Sequence, residues 1–356
     1  MFTLESPPLN TPLNVGLLGY GYASATFHAP LIAAVPGLRL AAIASSRPGD
    51  VLADWPHVSV CASAAELIAR PDIDLVVIAT PNDTHAPLAA QALAAGKHVV
   101  VDKPFTLQVS EARDLVALAE QHQRLLSVFH NRRWDADFLS LQAVLQRGEL
   151  GRITHFESHF DRYRPVVRQR WRESGQPGSG LWYDLGPHLL DQALQLLGTP
   201  ETLSLDVASQ RDGSLADDWF HAVLRYGPMR VVLHASALTA RVSPRFVVHG
   251  TTGSLVKWGL DTQEDALKAG LRPSGEDWGI DPQPLQLTLS DDQQTLAESQ
   301  RPCERGDYTR YYAGVRDALL HGAPNPVPAH EAVQVMELIE LGLTSARQGR
   351  VLPVAG

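Results

Sequence analysis

The sequence predicts an α/β fold in two parts: a doubly wound parallel sheet, then an α+β domain built on a large, mainly antiparallel sheet. Three observations predict it. From residue 13 to about 128, short apolar runs alternate with helical stretches, as in a parallel sheet joined by crossover helices. A glycine-rich turn, Gly19-Tyr20-Gly21, follows the first run directly. After about residue 150 the alternation stops and longer strand-like runs appear, two of them joined by Gly227-Pro228, a hairpin signal. The domains are therefore expected over 1–128 and 129–356, with the C-terminal helix packing back on the first.

In the first part the strands read as Asn14 to Leu18, Arg39 to Ala44, Leu75 to Thr80, His98 to Val101 and Leu125 to Val128. The helices read as His28 to Ala34, Ser63 to Ala69, Thr84 to Ala95 and Val109 to His122. Ser63 and Glu66 have capping-box spacing, and Gly96 stands where a helix ends. In the second part the strands read as Ile153 to Tyr163, Trp219 to Tyr226, Arg230 to Ala237 and Phe246 to His249. The stretch 261–300, rich in Asp, Gln, Pro and Gly, reads as a long irregular surface segment. Amphipathic helices near 307–320 and 329–347 close the chain.

The 356 residues suffice for two domains, and 44% hydrophobic with 19% charged residues fits a globular chain. A net charge of -9 argues against a nucleic-acid partner. No run approaches the roughly 20 apolar residues of a membrane span. Residues 1–8 have no signal-peptide character and read as a short frayed tail. Cys61 and Cys303 form neither a disulfide framework nor a metal-ligand spacing, which suggests a cytoplasmic setting.

Gly19-Tyr20-Gly21-Tyr22-Ala23-Ser24 is a dinucleotide fingerprint in which Ser24 replaces the third glycine. Gly19 permits the tight turn, Gly21 lets backbone approach a pyrophosphate, and the helix start supplies donors; the alternative is a tight turn with no ligand. The second strand ends in Ser45-Ser46-Arg47 without a carboxylate, which suits the 2'-phosphate of NADP, while Asp50 leaves NAD open. Thr80-Pro81-Asn82 and His85 follow the third strand and are expected along the cofactor's ribose and nicotinamide; Asn82 and Thr84 equally suit helix capping.

Val99-Val100-Val101-Asp102-Lys103-Pro104 places a charge at the end of an apolar strand, where open α/β sheets bind ligands. Lys103 either serves a site there or snorkels into a loop. In the second part, Gly178-Ser179-Gly180 precedes a run in which Pro187 suits the first helical position, so Asp184 falls just before the helix and His188 in its first turn. A carboxylate beside an imidazole fixes its tautomer for proton transfer; alternatively, Asp184 caps the helix and His188 packs in a polar pocket.

Together the turn at Gly19 to Ser24, Asp102-Lys103-Pro104 and the Asp184/His188 pair resemble the Gfo/Idh/MocA family of nicotinamide-dependent oxidoreductases. Phe246 to Ser254 resembles the family's sheet, so the likeness covers nearly the whole chain. The family's usual Glu-Lys-Pro stands here as Asp-Lys-Pro. Runs at Gly19 to Pro30, Phe129 to Asp135 and Arg168 to Glu173 are similar to the branch containing bacterial scyllo-inositol dehydrogenases. The resemblance implies a Rossmann first domain, a cyclic polyol or sugar substrate (best matched by scyllo-inositol/scyllo-inosose), NADP as cofactor and a homodimer or homotetramer. It also implies Lys103, Asp184 and His188 as the catalytic set, with Trp171 and Arg172 near the cofactor.

Asp102 is expected at the cofactor, and Asn131, Arg132 and Tyr163 at the substrate with the catalytic set. Arg132, Arg133, Arg162 and Arg164 line the pocket or lie on its rim. No metal is expected: His155 and His159 are four apart, but on a strand, and lack a zinc-protease Glu. Two other functions fit the same sequence, reduction of another sugar or carbonyl compound and dinucleotide sensing without catalysis.

Overall fold

The computed structural model describes residues 12–241 and 243–355, so the expected frayed tail lies outside the described residues. The chain divides into two compact units. The first takes the chain as far as Asn131, together with Gln263–Trp278 and Asp307–Val333; the second takes Arg132–Thr262, Gly279–Gly306 and Gln334 onward. The second unit is thus interrupted twice by segments of the first.

The first unit contains β1 (Leu13–Leu18), α1 (Ala29–Ala34), β2 (Leu38–Ala44), α2 (Pro48–Asp54), β3 (Ser59–Cys61), α3 (Ala64–Ile68), β4 (Leu75–Ile78), α4 (His85–Ala94), β5 (His98–Val101), α5 (Val109–Gln121) and β6 (Leu126–Val128). Its sheet is wholly parallel, in the order β3-β2-β1-β4-β5-β6. The order reverses between β1 and β4, which is where such sheets receive a ligand. Leu75, Val76, Val77, Ile78, Val99, Val100 and Val101 are all fully buried, explaining the continuous apolar runs. The sequence reading missed β3 and α2. β3 is three residues long, and α2 opens on Pro48-Gly49 and buries only Val51, so neither carries a periodic signal. Ser63 Oγ accepts from Glu66 N at 3.1 Å, but Glu66 reaches Ala62 N, one residue before the reciprocal partner of a capping box.

The second unit contains α6 (Ala136–Gln146), β7 (Ile153–His159), α7 (Leu181–Leu197), β8 (Thr202–Ala208), β9 (Trp219–Tyr226), β10 (Met229–Ser236), β11 (Phe246–Gly250) and β12 (Gly253–Lys257). Next along the chain is α8 (Gln263–Lys268), which belongs to the first unit. β13 (Leu285–Ser290) and β14 (Leu296–Arg301) return to the second. α9 (Thr309–His321) lies in the first unit, α10 (Ala329–Gln348) passes into the second at Gln334, and β15 (Leu352–Pro353) ends the sheet. The nine strands run β14-β13-β12-β11-β7-β10-β9-β8-β15. Every neighbouring pair is antiparallel except β7 with β10.

The Gly227-Pro228 hairpin forms as expected, with Tyr226 opposite Met229 and Gly227 at φ 55°. The irregular segment expected over 261–300 is corrected: it holds α8, β13 and β14. β13 does alternate, burying Leu285 and Leu287, but its flanks of Asp, Gln and Pro hide it, and edge strand β14 is almost wholly exposed.

One sheet face is dry. Phe156, Phe220, Ala222, Leu224, Val231 and Leu233 are fully buried, and α7 packs on β9 and β10, the Trp182 ring edge-on to Phe220 at 5.0 Å. Burying one such large side chain contributes about 1.5–3 kcal/mol. The other face is half-exposed and mixed: His155, Glu157, His159, His221 and His234 stand there beside Trp219, Val223 and Val232. Among the described residues no helix is long and apolar enough to cross a membrane.

Candidate active site

In the first unit the site is built from strand ends. Gly19 follows β1 at φ 85°, and a Cβ there would meet Ala79 O at 3.0 Å and Thr80 Cγ2 at 3.1 Å, so only glycine lets β1 turn beside the end of β4. Gly21 has open space around the position a Cβ would take, as backbone awaiting a phosphate requires. Helical structure begins at Tyr22, passes through a π-type turn over Ser24–His28 and continues as α1. Ser24, at the third glycine position, is buried. These residues fit a dinucleotide.

Beyond β2, Ser45 Oγ accepts from Arg47 N at 3.0 Å. Arg47 donates to Tyr20 O at 2.5 Å and pairs with Asp50 at 3.2 Å, both side chains more than half exposed. Tyr20 is itself anchored, donating to Asp54 Oδ2 at 2.7 Å and accepting from Trp55 Nε1 at 3.0 Å. Burial, with Asp54 beside it, pushes the Tyr20 hydroxyl above its usual pKa, so it remains a donor. Tyr22 is exposed and donates to Glu264 at 3.1 Å.

Lys103 follows β5 in a loop held from behind. His85, expected at the cofactor, is buried and faces protein with both ring nitrogens: Nδ1 lies 2.8 Å from Pro104 O and Nε2 3.0 Å from Thr80 O. Burial lowers its pKa although Asp102 and the two carbonyls oppose the shift. The neutral ring packs between the end of β4 and the lysine loop and donates to one of the two carbonyls. Thr80 and Thr84 share a hydrogen bond of 2.6 Å, and Asn82 is buried.

Asp102 Oδ1 accepts from Lys103 N at 2.8 Å. Burial opposes its ionisation, but His28, Lys103 and His85 outweigh burial and hold the carboxyl below its usual range. The His28 ring stands with Nε2 3.7 Å from Asp102 and Nδ1 2.6 Å from the Tyr312 hydroxyl. A proton on Nε2 faces the carboxylate, which makes Nδ1 the acceptor from Tyr312, whose own pKa burial raises well above normal. The sequence reading did not find His28 or Tyr312 as supports; Tyr312 lies 284 residues from its partner.

In the second unit α7 carries Asp184 and His188, with one correction. The helix starts at Leu181, so Asp184 is inside its first turn, Pro187 is within the helix, and His188 lies one turn further. The reason is a cap supplied from a distance. Gly180, at φ 92°, precedes the helix without a capping side chain, and Asp217 substitutes by accepting from Trp182 N at 2.7 Å through Oδ2, while its backbone carbonyl accepts from Leu181 N. A Cβ on Gly180 would overlap Asp217 Oδ1. Burial raises the Asp217 carboxyl to about 6, partly offset by the Trp182 N–H.

Asp184 and His188, four apart, share one face of α7. Arg172 Nε stands 3.6 Å from Asp184 Oδ1. Asp184 lines a polar cleft with Arg162, Arg164, Arg170, Arg172 and Arg211, and His188 is 5% exposed. One turn on, Asp191 binds Arg133 at 2.9 and 2.5 Å. Arg132, buried, pairs with Asp135 at 3.3 Å, and its guanidinium lies 4.7 Å from the centre of the Phe160 ring. Arg132 and Arg133 are thus interior supports, not rim.

Behind them, fully buried Arg245 reaches Gln192 Oε1 at 2.6 Å, Ser158 Oγ at 2.5 Å and Asp137 at 3.4 Å. Burial lowers the Arg245 pKa and raises that of Asp137. Asn131 is buried at the end of the first unit, Trp171 and Tyr163 are exposed, and Arg172 lies over the Trp171 ring at 5.5 Å. Asp191, three residues from His188, had a helical-spacing signal that was readable; Asp137, Asp217 and Arg245 had none.

The parallel sheet in this order, opened by a glycine turn at its switch point, defines a dinucleotide-binding protein. Residues 13–130 match the NAD-binding Rossmann fold of an oxidoreductase family, and residues 142–355 match that family's C-terminal alpha/beta domain. The uncharacterized oxidoreductase YdgJ of Escherichia coli K12 is 56% identical over 96% of this chain and 99% of its own. The NADP-linked scyllo-inositol 2-dehydrogenase IolW of Bacillus subtilis is 35% identical over 96% of this chain and 95% of its own. The solved structure of a Yersinia pestis protein, 57% identical, superposes with a TM-score of 0.94 over 97% and 98% of the two chains. The chain belongs to the Gfo/Idh/MocA oxidoreductase family, and it is a nicotinamide-dependent dehydrogenase or reductase.

Proposed function

We propose that this protein catalyses reversible hydride transfer between NADP and a secondary alcohol or ketone of a cyclic polyol or sugar, with scyllo-inositol and scyllo-inosose as the best-matched pair. The observation that carries the reading is the i,i+4 placement of Asp184 and His188 on one face of α7. The substrate class is supported by likeness to the NADP-linked scyllo-inositol dehydrogenase. The phosphate on the cofactor is supported by Ser45, Ser46 and Arg47 after β2, where a carboxylate would stand for NAD.

When bound, the nicotinamide supplies the hydride acceptor or donor at C4. His188 takes the hydroxyl proton on oxidation and returns it on reduction. Asp184 orients His188 or holds a neighbouring substrate hydroxyl. Lys103 donates a hydrogen bond to the reacting oxygen and stabilises charge developing on it. Asp102 and His85 fix the lysine loop, and the family resemblance assigns Trp171 and Arg172 a place near the cofactor.

The test is absorbance of the reduced nicotinamide with a panel of inositols, inososes and aldoses, run with NADP and with NAD. Turnover confined to inositol-type rings with NADP is expected. Turnover only on aldoses or simple carbonyls overturns the substrate, an NAD preference overturns the cofactor, and a flat trace throughout favours a dinucleotide sensor.

A further inference from the structure

The half-exposed face of the nine-stranded sheet holds a cluster that hydride transfer does not use. His159 closes β7 and is the ladder neighbour of His234 on β10. Asp161, two residues beyond His159, returns to the same side of the chain. Its Oδ1 lies 3.5 Å from His234 Nε2 and its Oδ2 3.8 Å from His159 Nδ1, and one donor atom from each residue lies within 4.8 Å of the others.

The carboxylate is the reason to look for a ligand. The Asp161 side chain is 2% exposed, and neither oxygen has a hydrogen-bond partner among the described residues. Burying such a group without a partner is costly, so the site calls for a cation or a proton. The rest of the geometry favours a cation. His159 Nε2 is bonded to Glu157 Oε2 at 2.8 Å, which leaves Nδ1 facing Asp161. An outer carboxylate holding the far nitrogen is how metal-binding imidazoles are oriented. His234 Nε2 faces Asp161 Oδ1, and its Nδ1 has no hydrogen-bond partner among the described residues.

Tetrahedral zinc with bonds of about 2.0–2.1 Å places its donor atoms about 3.3–3.4 Å apart; the imidazole nitrogens stand 3.5 and 3.8 Å from the two Asp161 oxygens and all three donors lie within 4.8 Å, so side-chain rotation on binding must draw the set together. We infer that His159, Asp161 and His234 bind one divalent transition-metal ion, Zn²⁺ foremost, with Glu157 as the orienting group and the remaining position open to solvent. The ion would clamp β7 to β10 at the only parallel pairing in the sheet. His155 takes no part as a ligand, because its Nε2 is bonded to Glu157 Oε1 at 2.7 Å.

The experiment uses untagged full-length protein, stripped with chelator, dialysed and titrated with Zn²⁺ by calorimetry near neutral pH. One ion per chain is expected, with a rise in thermal midpoint, and Co²⁺ in its place should give the visible bands of a tetrahedral nitrogen/oxygen site. Glu157→Gln should weaken binding about 10- to 100-fold. Asp161→Asn and His234→Ala should abolish the stoichiometric step while far-ultraviolet circular dichroism stays native. Absence of binding in wild type overturns the inference, as does a stoichiometry unchanged in both variants. If either variant misfolds, His234→Asn and the wild-type Co²⁺ spectrum decide: retained binding in the first, or an octahedral spectrum in the second, is equally fatal.

Discussion

The two units hold their functional residues by different means. In the first, position comes from backbone: Gly19 turns where no side chain fits, Ser45 to Arg47 follow one strand end, and the loop of Lys103 follows another. In the second, position comes from buried side chains far apart in sequence, with Asp217 capping α7, Asp191 gripping Arg133 and Arg245 joining Gln192 to Asp137. A backbone-built site tolerates surface change around it, whereas a network-built site couples chemistry to folding stability.

The sharpest test removes His188, the proposed proton-transfer group. His188→Ala should lower kcat about 10²- to 10⁴-fold, leaving the dissociation constant for NADP, read by fluorescence titration, within a few-fold. An equal loss in cofactor binding would show that the units do not divide the labour as described. Next in size, Asp137→Ala leaves the Arg245 guanidinium buried without its carboxylate and should cost about 3–5 kcal/mol in urea unfolding. Loss of kcat without loss of stability would break the link between network and fold.

Asp217 offers a pH-dependent version of the same test. Its folded pKa, about 6, lies above the ordinary aspartate value, so the folded state holds the proton more tightly. Its contribution is most favourable below the unfolded pKa and is lost as pH rises from about 4 through 6. Asp217→Asn, which keeps an acceptor for Trp182 N–H, should remove that loss, a gain on the order of 2 kcal/mol above pH 6 relative to wild type. An unchanged pH profile of unfolding would remove Asp217 from the network. Smallest is Arg47→Ser in the backbone-built half: KM for NADP should rise about tenfold, with KM for NAD and thermal midpoint little changed, because the side chain is exposed.

What was legible in the sequence follows the same division. β5 was found over His98–Val101 and β9 over Trp219–Tyr226, because unbroken apolar runs and clean alternation are local properties. The glycine turn and the position of Lys103 were legible because each directly follows a strand end. The start of α7 was not, because Asp217, 35 residues away, supplies the cap, and Pro187 looked like a first-turn residue. The supports of the lysine loop were hidden in the same way, since Tyr312 meets His28 only after the chain has left the first unit and returned.

The single parallel pairing in the second sheet, β7 beside β10, has a consequence for how such a protein diversifies. After Arg164 N–H bonds Ala237 O, the chain runs from 165 to 180 outside any strand before α7 begins, and this stretch supplies Arg170, Arg172, Glu173 and Gly180 to the cleft. Sheet register does not depend on the length or composition of that crossover. Change within 165–180 can therefore alter the lining of the cleft while the strands, α7 and the Asp184/His188 pair stay as they are.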